Sequence, residues 1–558
     1  MNNRYRGKEI FMRTLENEGV RYIFGNPGTT ELPLIDSLLN HTDIEYILAL
    51  HESVAVSMAD AYAQASGNVG VVNLHVGPGL GNGLGAMYNA WEGQTPLVVT
   101  AGQQDNRMRL REPLLGHDLV AMAGPLTKWS VEAQSADELP LVLNRAFKTA
   151  RETPSGPVFV SLPMNVMEQA TAHAPMAPSG LYSRTPPDPA GIEAALEILL
   201  SARKPLIVCG DKVARAGAVR ELVEVAERIG AAVYSVVLPA RLNFPNQHPH
   251  FRDRMANDQA AMRERVGDSD VVLLAGGEFF EETWFADASP FPESTRVIQI
   301  DPSPANLGRN YRVDVGLSGD VKIALGALAK ALSDSADGKF LEAAKARCRR
   351  LGEEKRAVRE IQAKKAAAPL ANGAMSAARL MAELEACAPG RMVVASEAIT
   401  ASPDMLKTLS FETPDDLLMS RGGGIGQGLP SALGVKLAHP DRPVLCISGD
   451  GSACYTLQAL WSAAHHRLPV VFLILNNGSY RILKLNMDRY RRDAGIPSER
   501  PYLHMDLSDP AIDFVTLAGG YGVKGERVSG PDQLPTAIRT AFESNEPYLL
   551  DVVIDGGV

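Results

Sequence analysis

The fold is decided by two stretches, Val444-Leu-Cys-Ile-Ser-Gly449-Asp450-Gly451-Ser452 and Val470-Val-Phe-Leu-Ile-Leu-Asn-Asn477-Gly-Ser479. Each is a short apolar run that stops at small or polar residues, and a helical pattern from about Leu457 to His466 separates them. Two apolar runs joined through a helix predict a βαβ unit, whose parallel strands end at the same edge of a sheet. That edge is where open α/β sheets bind ligands. We therefore expect the two polar ends to meet there.

The residues at these two ends offer oxygen ligands and an open backbone. The Asp450 carboxylate, the Asn477 side-chain oxygen and the Ser479 backbone carbonyl are three hard oxygen donors. Mg²⁺ prefers a few protein oxygens, with phosphate oxygens and water completing an octahedron. Gly449 and Gly451 allow a phosphate to approach the backbone, and the N-terminus of the following helix favours an anion.

The alternative interpretation is a plain strand–turn–helix with Asp450 as the helix N-cap, and it explains Gly-Asp-Gly-Ser alone equally well. It does not explain Asn476-Asn477, which ends the next apolar run with 24 residues between Gly451 and Asn476. This spacing resembles the GDG…NN cofactor motif of thiamine-diphosphate enzymes.

Apolar runs of the same kind alternate with helical patterns along most of the chain, which predicts an α/β protein with mostly parallel sheets flanked by helices. Two stretches resemble linkers: residues 174–190 are rich in Pro and Ser, and residues 339–369 form a charged helical stretch. The expected strands are Tyr22–Phe24, Val69–Leu74, Leu97–Ala101, Val158–Leu162, Pro205–Cys209, Val271–Ala275, Val297–Ile300, Val444–Ile447 and Val470–Leu475.

Composition narrows the class of protein. A chain of 558 residues exceeds one core and predicts about three domains. The net charge of −10 argues against a general nucleic-acid binder. Five scattered cysteines without a CxxC pair indicate a reducing compartment. There is no apolar stretch of signal-peptide type at the N-terminus and no run of 18 apolar residues, so we expect a cytoplasmic protein without a membrane span.

Thiamine diphosphate requires two further features. A carboxylate must bind N1′ of the aminopyrimidine, so that the 4′-imino tautomer can deprotonate C2, and a bulky apolar side chain must hold the two rings in a V. Glu52 follows an apolar strand and opens a small-residue helix, where a plain N-terminal charge is the alternative reading. In Arg421-Gly-Gly423-Gly-Ile425-Gly-Gln-Gly428 the Gly423 carbonyl is placed to accept from the 4′-amino group, with Ile425 as the wedge.

With these parts in order, the chain resembles the thiamine-diphosphate-dependent 2-oxo acid decarboxylase and carboligase superfamily, which includes acetolactate synthase and pyruvate decarboxylase. It is most similar there to the benzoylformate decarboxylases, over nearly its whole length. The supporting stretches are Gly25-Asn-Pro-Gly-Thr-Thr-Glu-Leu-Pro33, Asp60–Ala65, Asn73-Leu-His75, Gly81-Asn82, Asn89-Ala-Trp91, Val99–Gln104, Lys128-Trp-Ser130, Gly449–Ala453 and Asn476-Asn-Gly478.

The resemblance implies a pyrimidine-binding domain (1–178), a central domain (190–335) and a diphosphate-binding domain (370–558). It implies thiamine diphosphate and Mg²⁺, for which Ca²⁺ can substitute, and no FAD is expected. It also implies a site shared across a homodimer, with Glu52 from one chain and the diphosphate loop from the other, in an expected homotetramer. The cofactor-binding residues that it implies are Pro27, Glu52, Thr400, Gly423, Ile425, Gly449, Asp450, Gly451, Ser452, Asn477, Ser479 and Tyr480.

For the substrate pocket, the resemblance makes His75 a catalytic proton donor and acceptor near C2, a role that suits a side chain titrating near neutrality. Thr29 falls where benzoylformate decarboxylases carry a serine that contacts the substrate carboxylate. His117 borders the pocket in several family members, although a surface loop is the alternative.

Several positions depart from the benzoylformate decarboxylases. Thr283 stands where they have a second active-site histidine, and no histidine lies between His250 and His439. The positions that match the substrate cavity are less aromatic here, and they are Met419, Ile482, Leu485 and Asn486. A basic stretch over residues 481–492 is either a solvated face or a region that attracts an anionic substrate.

We therefore predict an enzyme that decarboxylates a 2-oxo acid without oxidation to give an aldehyde, with carboligase side activity. An acetolactate-synthase-like or aldehyde-lyase carboligase is the enzymatic alternative, because His51-Glu52 and Gly77-Pro-Gly79 resemble those relatives. A catalytically silent homologue is disfavoured, since Glu52, Asp450 and Asn477 are all present. A nicotinamide or flavin oxidoreductase is disfavoured because no GxGxxG follows a predicted strand.

Overall fold

The structure is a computed structural model that describes residues 5–279, 283–285, 287, 289–370, 374–419 and 421–558. The chain divides into two compact units. The first unit contains residues 1–181, 387–400 and 420–558, and the second contains residues 182–386 and 401–419. Each unit is built on parallel sheets flanked by helices, which confirms the predicted α/β class.

The N-terminal part of the first unit is a six-stranded parallel sheet in the order β3-β2-β4-β5-β7-β6, and the short strands β1 and β8 pair antiparallel beside it. Its central strands are buried along their length, as expected for a sheet covered on both faces. The elements are β1 (Tyr5–Arg6), α1 (Gly7–Asn17), β2 (Tyr22–Gly25), α2 (Leu32–Ser37), β3 (Glu45–Leu48), α3 (Glu52–Ser66), β4 (Gly70–His75), α4 (Val76–Glu92), β5 (Leu97–Gln103), α5 (Leu119–Ala123), β6 (Ser130–Glu132), α6 (Leu139–Arg151), β7 (Val158–Pro163), α7 (Met164–Glu168) and β8 (Ala170–Thr171).

The second unit holds a second six-stranded parallel sheet, in the order β11-β10-β9-β12-β13-β14. The charged stretch predicted to be helical forms α13, which is 30 residues long. The elements are α8 (Pro189–Ser201), β9 (Pro205–Cys209), α9 (Asp211–Arg215), α10 (Val219–Ile229), β10 (Ala232–Ser235), β11 (Phe251–Arg254), α11 (Gln259–Val266), β12 (Val271–Ala275), β13 (Arg296–Asp301), β14 (Val315–Ser318), α12 (Val321–Ser335) and α13 (Gly338–Ala367).

Most of the C-terminal part of the chain belongs to the first unit, where five strands of a third parallel sheet lie in the order β15-β17-β18-β20-β19, whereas α15 and β16 belong to the second unit. From Ala377 onward the elements are α14 (Ala377–Cys387), β15 (Val393–Glu397), α15 (Ser402–Thr408), β16 (Leu417–Met419), α16 (Gly428–Ala438), β17 (Val444–Gly449), α17 (Asp450–Ala453), α18 (Ala459–His465), β18 (Val470–Asn476), α19 (Arg481–Asp493), α20 (Phe514–Gly520), β19 (Lys524–Val528), α21 (Leu534–Glu543) and β20 (Tyr548–Val553).

Within the first unit, the N-terminal and C-terminal sheets are joined by hydrogen bonds as well as by packing. The Leu48 backbone N–H donates to His466 Nε2 at 3.0 Å, and Ser462 Oγ donates to the Leu48 carbonyl at 3.0 Å. Helix α3, which begins at Glu52, also packs against α16, which follows the glycine-rich loop. The segments predicted to carry cofactor chemistry therefore belong to one compact body.

Among the helices of the described residues, none combines the length and the apolar character that a membrane crossing requires.

Candidate active site

Glu52 is the first residue of α3, and its side chain is buried, with 7% of the residue exposed. The helix N-terminus lowers the cost of a buried carboxylate. Asn82 of α4 donates from Nδ2 to Glu52 Oε2 at 3.0 Å. His51 caps the helix by accepting from the Ser53 backbone N–H at 3.2 Å. The carboxylate is thus fixed in direction and keeps acceptor capacity for another donor.

His75 ends β4 at the carboxyl edge of the N-terminal sheet, where its side chain is 23% exposed. The next residue, Val76, begins α4 with φ of 38°. A β-branched residue with positive φ is an outlier that costs about 1–3 kcal/mol and persists only where the surroundings impose it. This sharp strand-to-helix turn places the His75 ring at the ligand edge of the sheet.

Glu31, which no motif in the sequence singled out, contacts His75. Its side chain is 1% exposed and its Oε2 lies 2.7 Å from His75 Nδ1. The neighbouring Thr30 is also buried, and its hydroxyl lies 3.1 Å from the same ring nitrogen. Thr29, the residue singled out from the sequence, is exposed, as is Pro27. The Thr-Thr-Glu stretch contained both residue types, but only the fold shows which side chains turn towards His75.

The glycine-rich loop before α16 is fixed by two side chains. Asn89 of α4 donates from Nδ2 to the Gly424 carbonyl at 3.1 Å and accepts from the Gly424 N–H at 2.9 Å. Glu397, at the end of β15, accepts from the backbone N–H groups of Gly426 at 2.7 Å and Gly428 at 2.6 Å. Burial raises the pKa of Glu397 to about 7, although these hydrogen bonds lower it.

These contacts leave accessible both Gly423, whose carbonyl is predicted to bind the 4′-amino group, and Ile425, the predicted wedge. A side chain at Gly423 would meet nothing within 4 Å, and the Ile425 side chain, on the same loop, is 41% exposed. Ile425 is therefore accessible to a molecule that approaches the glycine-rich loop.

The residues predicted to bind the diphosphate and the metal lie together at the ends of two neighbouring strands. Asp450 Oδ2 accepts from the backbone N–H groups of Asn477 at 3.1 Å and Gly478 at 2.7 Å, which joins the ends of β17 and β18. Asn477 Oδ1 accepts from the Ser479 N–H at 2.9 Å. Burial raises the pKa of Asp450, because the charged carboxylate loses solvation. A nearby divalent cation would offset that cost, so the carboxylate, amide and carbonyl oxygens fit Mg²⁺.

Gly451 shows why a glycine is needed in this loop. A Cβ there would lie 2.4 Å from Cε1 of Tyr480, so only glycine lets that ring pack over the start of α17. At Gly449, by contrast, a Cβ would meet nothing within 4 Å. Ser452 is buried and Thr400 is half-buried. A closed side at Gly451 and an open side at Gly449 fit a diphosphate that approaches the backbone from one direction.

Helix α19 carries the basic stretch, and three of its cations bind groups within the chain. Lys484 pairs with Asp506 at 2.6 Å, and Arg481 donates from Nε to the Gly557 carbonyl at 2.8 Å. The buried Arg491 guanidinium donates to the carbonyls of Arg500 and Pro501 at 2.6 and 2.8 Å. These cations stabilise local structure, which favours a structural role over attraction of an anionic substrate. Ile482 and Asn486 are half-buried and lie one turn apart on this helix.

His117 lies in the loop before α5 and lines a cavity of about 430 Å³ together with Gln103, Arg109 and Glu132. Its carbonyl accepts from Gln103 Nε2 at 2.8 Å, at the carboxyl end of β5. The cavity lies in the first unit and opens beside the same sheet edge as His75. The side chain is exposed, so the structure fits both the pocket and the surface-loop interpretation.

Two positions considered for the substrate pocket lie in the second unit. Met419 is buried at the end of β16, and its N–H donates to the Ala240 carbonyl at 2.8 Å. The Thr283 N–H donates to the Asn257 carbonyl at 3.0 Å. Residues 280–282, which belong to the stretch compared with the second histidine, lie outside the described residues.

Three family models match the chain along its length. They describe the thiamine pyrophosphate enzyme N-terminal TPP binding domain (residues 5–122), central domain (residues 192–328) and C-terminal TPP binding domain (residues 400–552). The chain belongs to the thiamine pyrophosphate enzyme family. The prediction of a thiamine-diphosphate-dependent enzyme is therefore confirmed.

Relatives within the family include decarboxylases and synthases. The chain is 33% identical to a benzoylformate decarboxylase of Pseudomonas aeruginosa, over 96% of this chain and 97% of the relative. It is 29% identical to a probable acetolactate synthase large subunit of Methanococcus aeolicus, over 98% and 92%. The structure of a thiamine diphosphate-dependent 4-hydroxybenzoylformate decarboxylase of Rhodococcus jostii has a TM-score of 0.85, with 30% identity and 99% coverage of both chains.

Proposed function

We propose that this protein is a thiamine-diphosphate- and Mg²⁺-dependent decarboxylase that converts a 2-oxo acid to an aldehyde, with carboligation as a side activity. The observation that carries the proposal is His75, a half-buried histidine at the ligand edge whose Nδ1 contacts the buried carboxylate of Glu31. Release of an aldehyde requires a proton at the carbon that has lost CO₂, and a positioned histidine supplies one near neutral pH.

When bound, thiamine diphosphate supplies a nucleophilic carbon and an electron sink for the electrons that the departing CO₂ leaves. The residues of this chain bind and orient it. Glu52 is assigned to the aminopyrimidine N1′, and Gly423 and Ile425 to the 4′-amino group and the space between the rings. Asp450, Asn477 and the Ser479 carbonyl are assigned to Mg²⁺. Gly449, Gly451, Ser452, Tyr480, Thr400 and Pro27 complete the cofactor site.

The substrate pocket within the first unit is assigned to Thr29, His75, His117, Ile482 and Asn486, whereas Met419, which was also predicted for the pocket, belongs to the second unit. The named substrates of the relatives, benzoylformate and 4-hydroxybenzoylformate, favour a 2-oxo acid with a bulky group. The less aromatic positions Ile482 and Asn486 favour a substrate other than benzoylformate itself, because they offer fewer ring contacts.

We further propose that the site is completed by a second copy of the chain, in a homodimer within a homotetramer. Support comes from α4, which contacts Glu52 through Asn82 and Gly424 through Asn89. Asn82 and Asn89 are seven positions apart in the helix, which separates these two contacts by about 10 Å along the helix axis. Within one chain the Glu52 carboxylate and the glycine-rich loop therefore contact α4 at positions about two helical turns apart. The exposed side chain of Ile425 is accessible to a partner chain.

A carboligase of the acetolactate-synthase type is the second candidate. It is favoured by the synthase relative, which covers 98% of this chain. In that case the protein would join two carbonyl compounds and release little aldehyde. The role assigned to His75 distinguishes the two candidate functions. A decarboxylase protonates the carbon that has lost CO₂, whereas in a carboligase that carbon attacks a second carbonyl instead.

The test is to load the protein with Mg²⁺ and thiamine diphosphate and to measure CO₂ and aldehyde from a panel of aliphatic and aromatic 2-oxo acids. Aldehyde in equal amount to CO₂ supports the decarboxylase. CO₂ accompanied by 2-hydroxy ketone as the main product supports the carboligase. No CO₂ from any acid, together with cleavage of acyloins, would overturn the proposal.

A further inference from the structure

We propose that Glu31 is the positioning residue for His75: its carboxylate accepts a hydrogen bond from Nδ1–H, so that Nε2 is the ring nitrogen that exchanges a proton with the substrate. The inference rests on the proposed function, in which His75 handles that proton. It assigns to this chain a residue whose role is to select the tautomer and the direction of a catalytic ring.

The Glu31 carboxylate is held in one orientation by its hydrogen bonds. Glu31 Oε2 accepts from the Gly28 backbone N–H at 2.8 Å, and Oε1 accepts from the Gly102 backbone N–H at 2.9 Å. The Thr30 hydroxyl donates to Oε1 at 2.7 Å. With both oxygens bound by donors from β5 and from the turn after β2, the buried group has one fixed orientation.

The groups around His75 Nδ1 determine which ring nitrogen carries the hydrogen. Glu31 Oε2, 2.7 Å from His75 Nδ1, already accepts from a backbone N–H, as an ionised carboxylate oxygen does. The Thr30 hydroxyl has one hydrogen, which it donates in a hydrogen bond to Glu31. At its 3.1 Å contact with His75 Nδ1 the hydroxyl oxygen can therefore only accept a hydrogen bond. Two acceptors therefore face Nδ1, and Nδ1 must carry the hydrogen. The neutral ring then has its lone pair on Nε2.

The His75 ring is also confined by the backbone that surrounds it. A Cβ at Gly28 would lie 2.2 Å from His75 Nδ1, so the ring packs directly on this stretch of backbone. Val76, held at positive φ, fixes the main chain on the other side. The ring is thus fixed by its packing, by the adjacent backbone and by the hydrogen bond to Glu31.

The chemical consequence follows from this arrangement. In the protonated ring, the Nε2–H bond breaks and its proton forms the C–H bond of the aldehyde. His75 is then neutral, and its Nδ1–H still donates a hydrogen bond to Glu31. Water returns a proton to Nε2 before the next turnover. The carboxylate stabilises the protonated ring throughout and does not itself take the proton. A buried acid beside a catalytic histidine acts in this way, by orienting the ring and stabilising its charge.

The test combines a spectroscopic readout with kinetics. In ¹⁵N-histidine-labelled protein, the His75 resonances, assigned by their loss in His75→Asn, are expected to show the Nδ1–H tautomer when the ring is neutral. This measurement needs no altered Glu31 and no substrate. A wild-type ring in the Nε2–H tautomer would overturn the inference, whatever reaction the enzyme catalyses.

Glu31→Gln tests the same relationship by substitution. Its amide can donate to Nδ1 and favour the Nε2–H tautomer, at the cost of placing an NH₂ group against the Gly28 N–H. We expect aldehyde formation to slow by about 100-fold, with binding of Mg²⁺ and thiamine diphosphate changed less than about threefold. A merely structural role would weaken cofactor binding and rate together. Wild-type rate with an unchanged tautomer in Glu31→Gln would contradict the inference.

Asp60→Asn is the matched control, because Asp60 is a buried carboxylate of the same unit, on α3, that accepts from Gln64 at 2.8 Å. It should leave the His75 tautomer as in the wild type. If Glu31→Gln does not fold, the ¹⁵N measurement of the His75 tautomer in the wild-type protein still tests whether Glu31 accepts from Nδ1–H. Absence of decarboxylation in wild-type holoenzyme, with the Nδ1–H tautomer present, would refute the proposed function and leave the assignment of Glu31 standing.

Discussion

Asn89 and Gly424 form a reciprocal pair of hydrogen bonds, in which the side-chain amide of Asn89 donates to the Gly424 carbonyl and accepts from its N–H. The amide of Asn89 thereby makes the paired hydrogen bonds that a neighbouring β-strand would make with a residue, and it fixes the glycine-rich loop on α4. Gly423 and Ile425 flank the paired residue. The position of the proposed wedge is therefore set by a helix of the N-terminal sheet, 335 residues away in sequence.

Asn89→Asp is expected to weaken binding of thiamine diphosphate about tenfold, because the loop loses a donor and its Gly424 carbonyl faces a charge. The Gly424 N–H keeps its acceptor, so the loop should remain folded. The measurement is titration of apoprotein with thiamine diphosphate at saturating Mg²⁺, followed by tryptophan fluorescence. The exposed Asn68→Asp is the control. Equal affinities in Asn89→Asp and wild type would show that the pair does not position the loop.

The features predictable from the sequence were those with local periodicity. The apolar runs around Val444 and Val470 became β17 and β18, and the meeting of Asp450 with Asn477 followed from the geometry of parallel strands. The contacts of Glu31, Glu397 and Asn89 could not be predicted in this way. Each depends on where a side chain turns after the fold has brought distant elements together, and no spacing in the sequence encodes that direction.

Glu52→Gln should lower turnover by about 100-fold or more, because an amide replaces the carboxylate that we assign to the aminopyrimidine. Gln preserves the size of the side chain and can still accept from Asn82. Binding of Mg²⁺ and thiamine diphosphate is expected to change little, as measured by equilibrium titration. Glu45→Gln, on the exposed end of β3, is the control. Turnover at the wild-type rate in Glu52→Gln would refute the assigned role of this glutamate.

His75→Ala should reduce aldehyde formation by about 100-fold while reducing carboligation much less, because attack on a second carbonyl needs no proton at the same carbon. The experiment compares both products from one 2-oxo acid, with and without an added acceptor aldehyde. His41→Ala removes a histidine that pairs with Glu16 away from the ligand edge and serves as the control. Equal loss of both products would contradict a role of His75 in that protonation.

Glu397 predicts a pH dependence of stability. Its pKa rises from 4.5 to about 7 on folding, first of all because of burial. The folded state therefore binds a proton that the unfolded state releases between these values, so this contribution to stability is complete below pH 4.5 and is lost as the pH rises through 7. At about 1.4 kcal/mol per pH unit, the loss is about 3 kcal/mol.

Glu397→Gln removes that titration and keeps an acceptor for one of the two glycine N–H groups. Urea unfolding of apoprotein at pH 5 and pH 8 should show a larger fall in midpoint for the wild type than for the variant. The difference between the two proteins isolates this residue from other titrating groups. Parallel midpoints across the pH range would mean that Glu397 is ionised throughout.

Mixing two inactive chains tests whether the site is shared between copies. Glu52→Gln disables the part assigned to the pyrimidine, and Asp450→Asn disables the part assigned to the metal. If each site takes Glu52 from one chain and Asp450 from the other, a heterodimer contains one site with both defects and one site with none. Random reassortment of equal amounts makes about half of the dimers hybrid, so about a quarter of all sites become wild type. We expect turnover to return to about that fraction after the two chains are unfolded and refolded together. Refolding each variant alone is the control. If both residues act within one chain, every site carries a defect, and the mixture stays as inactive as its components.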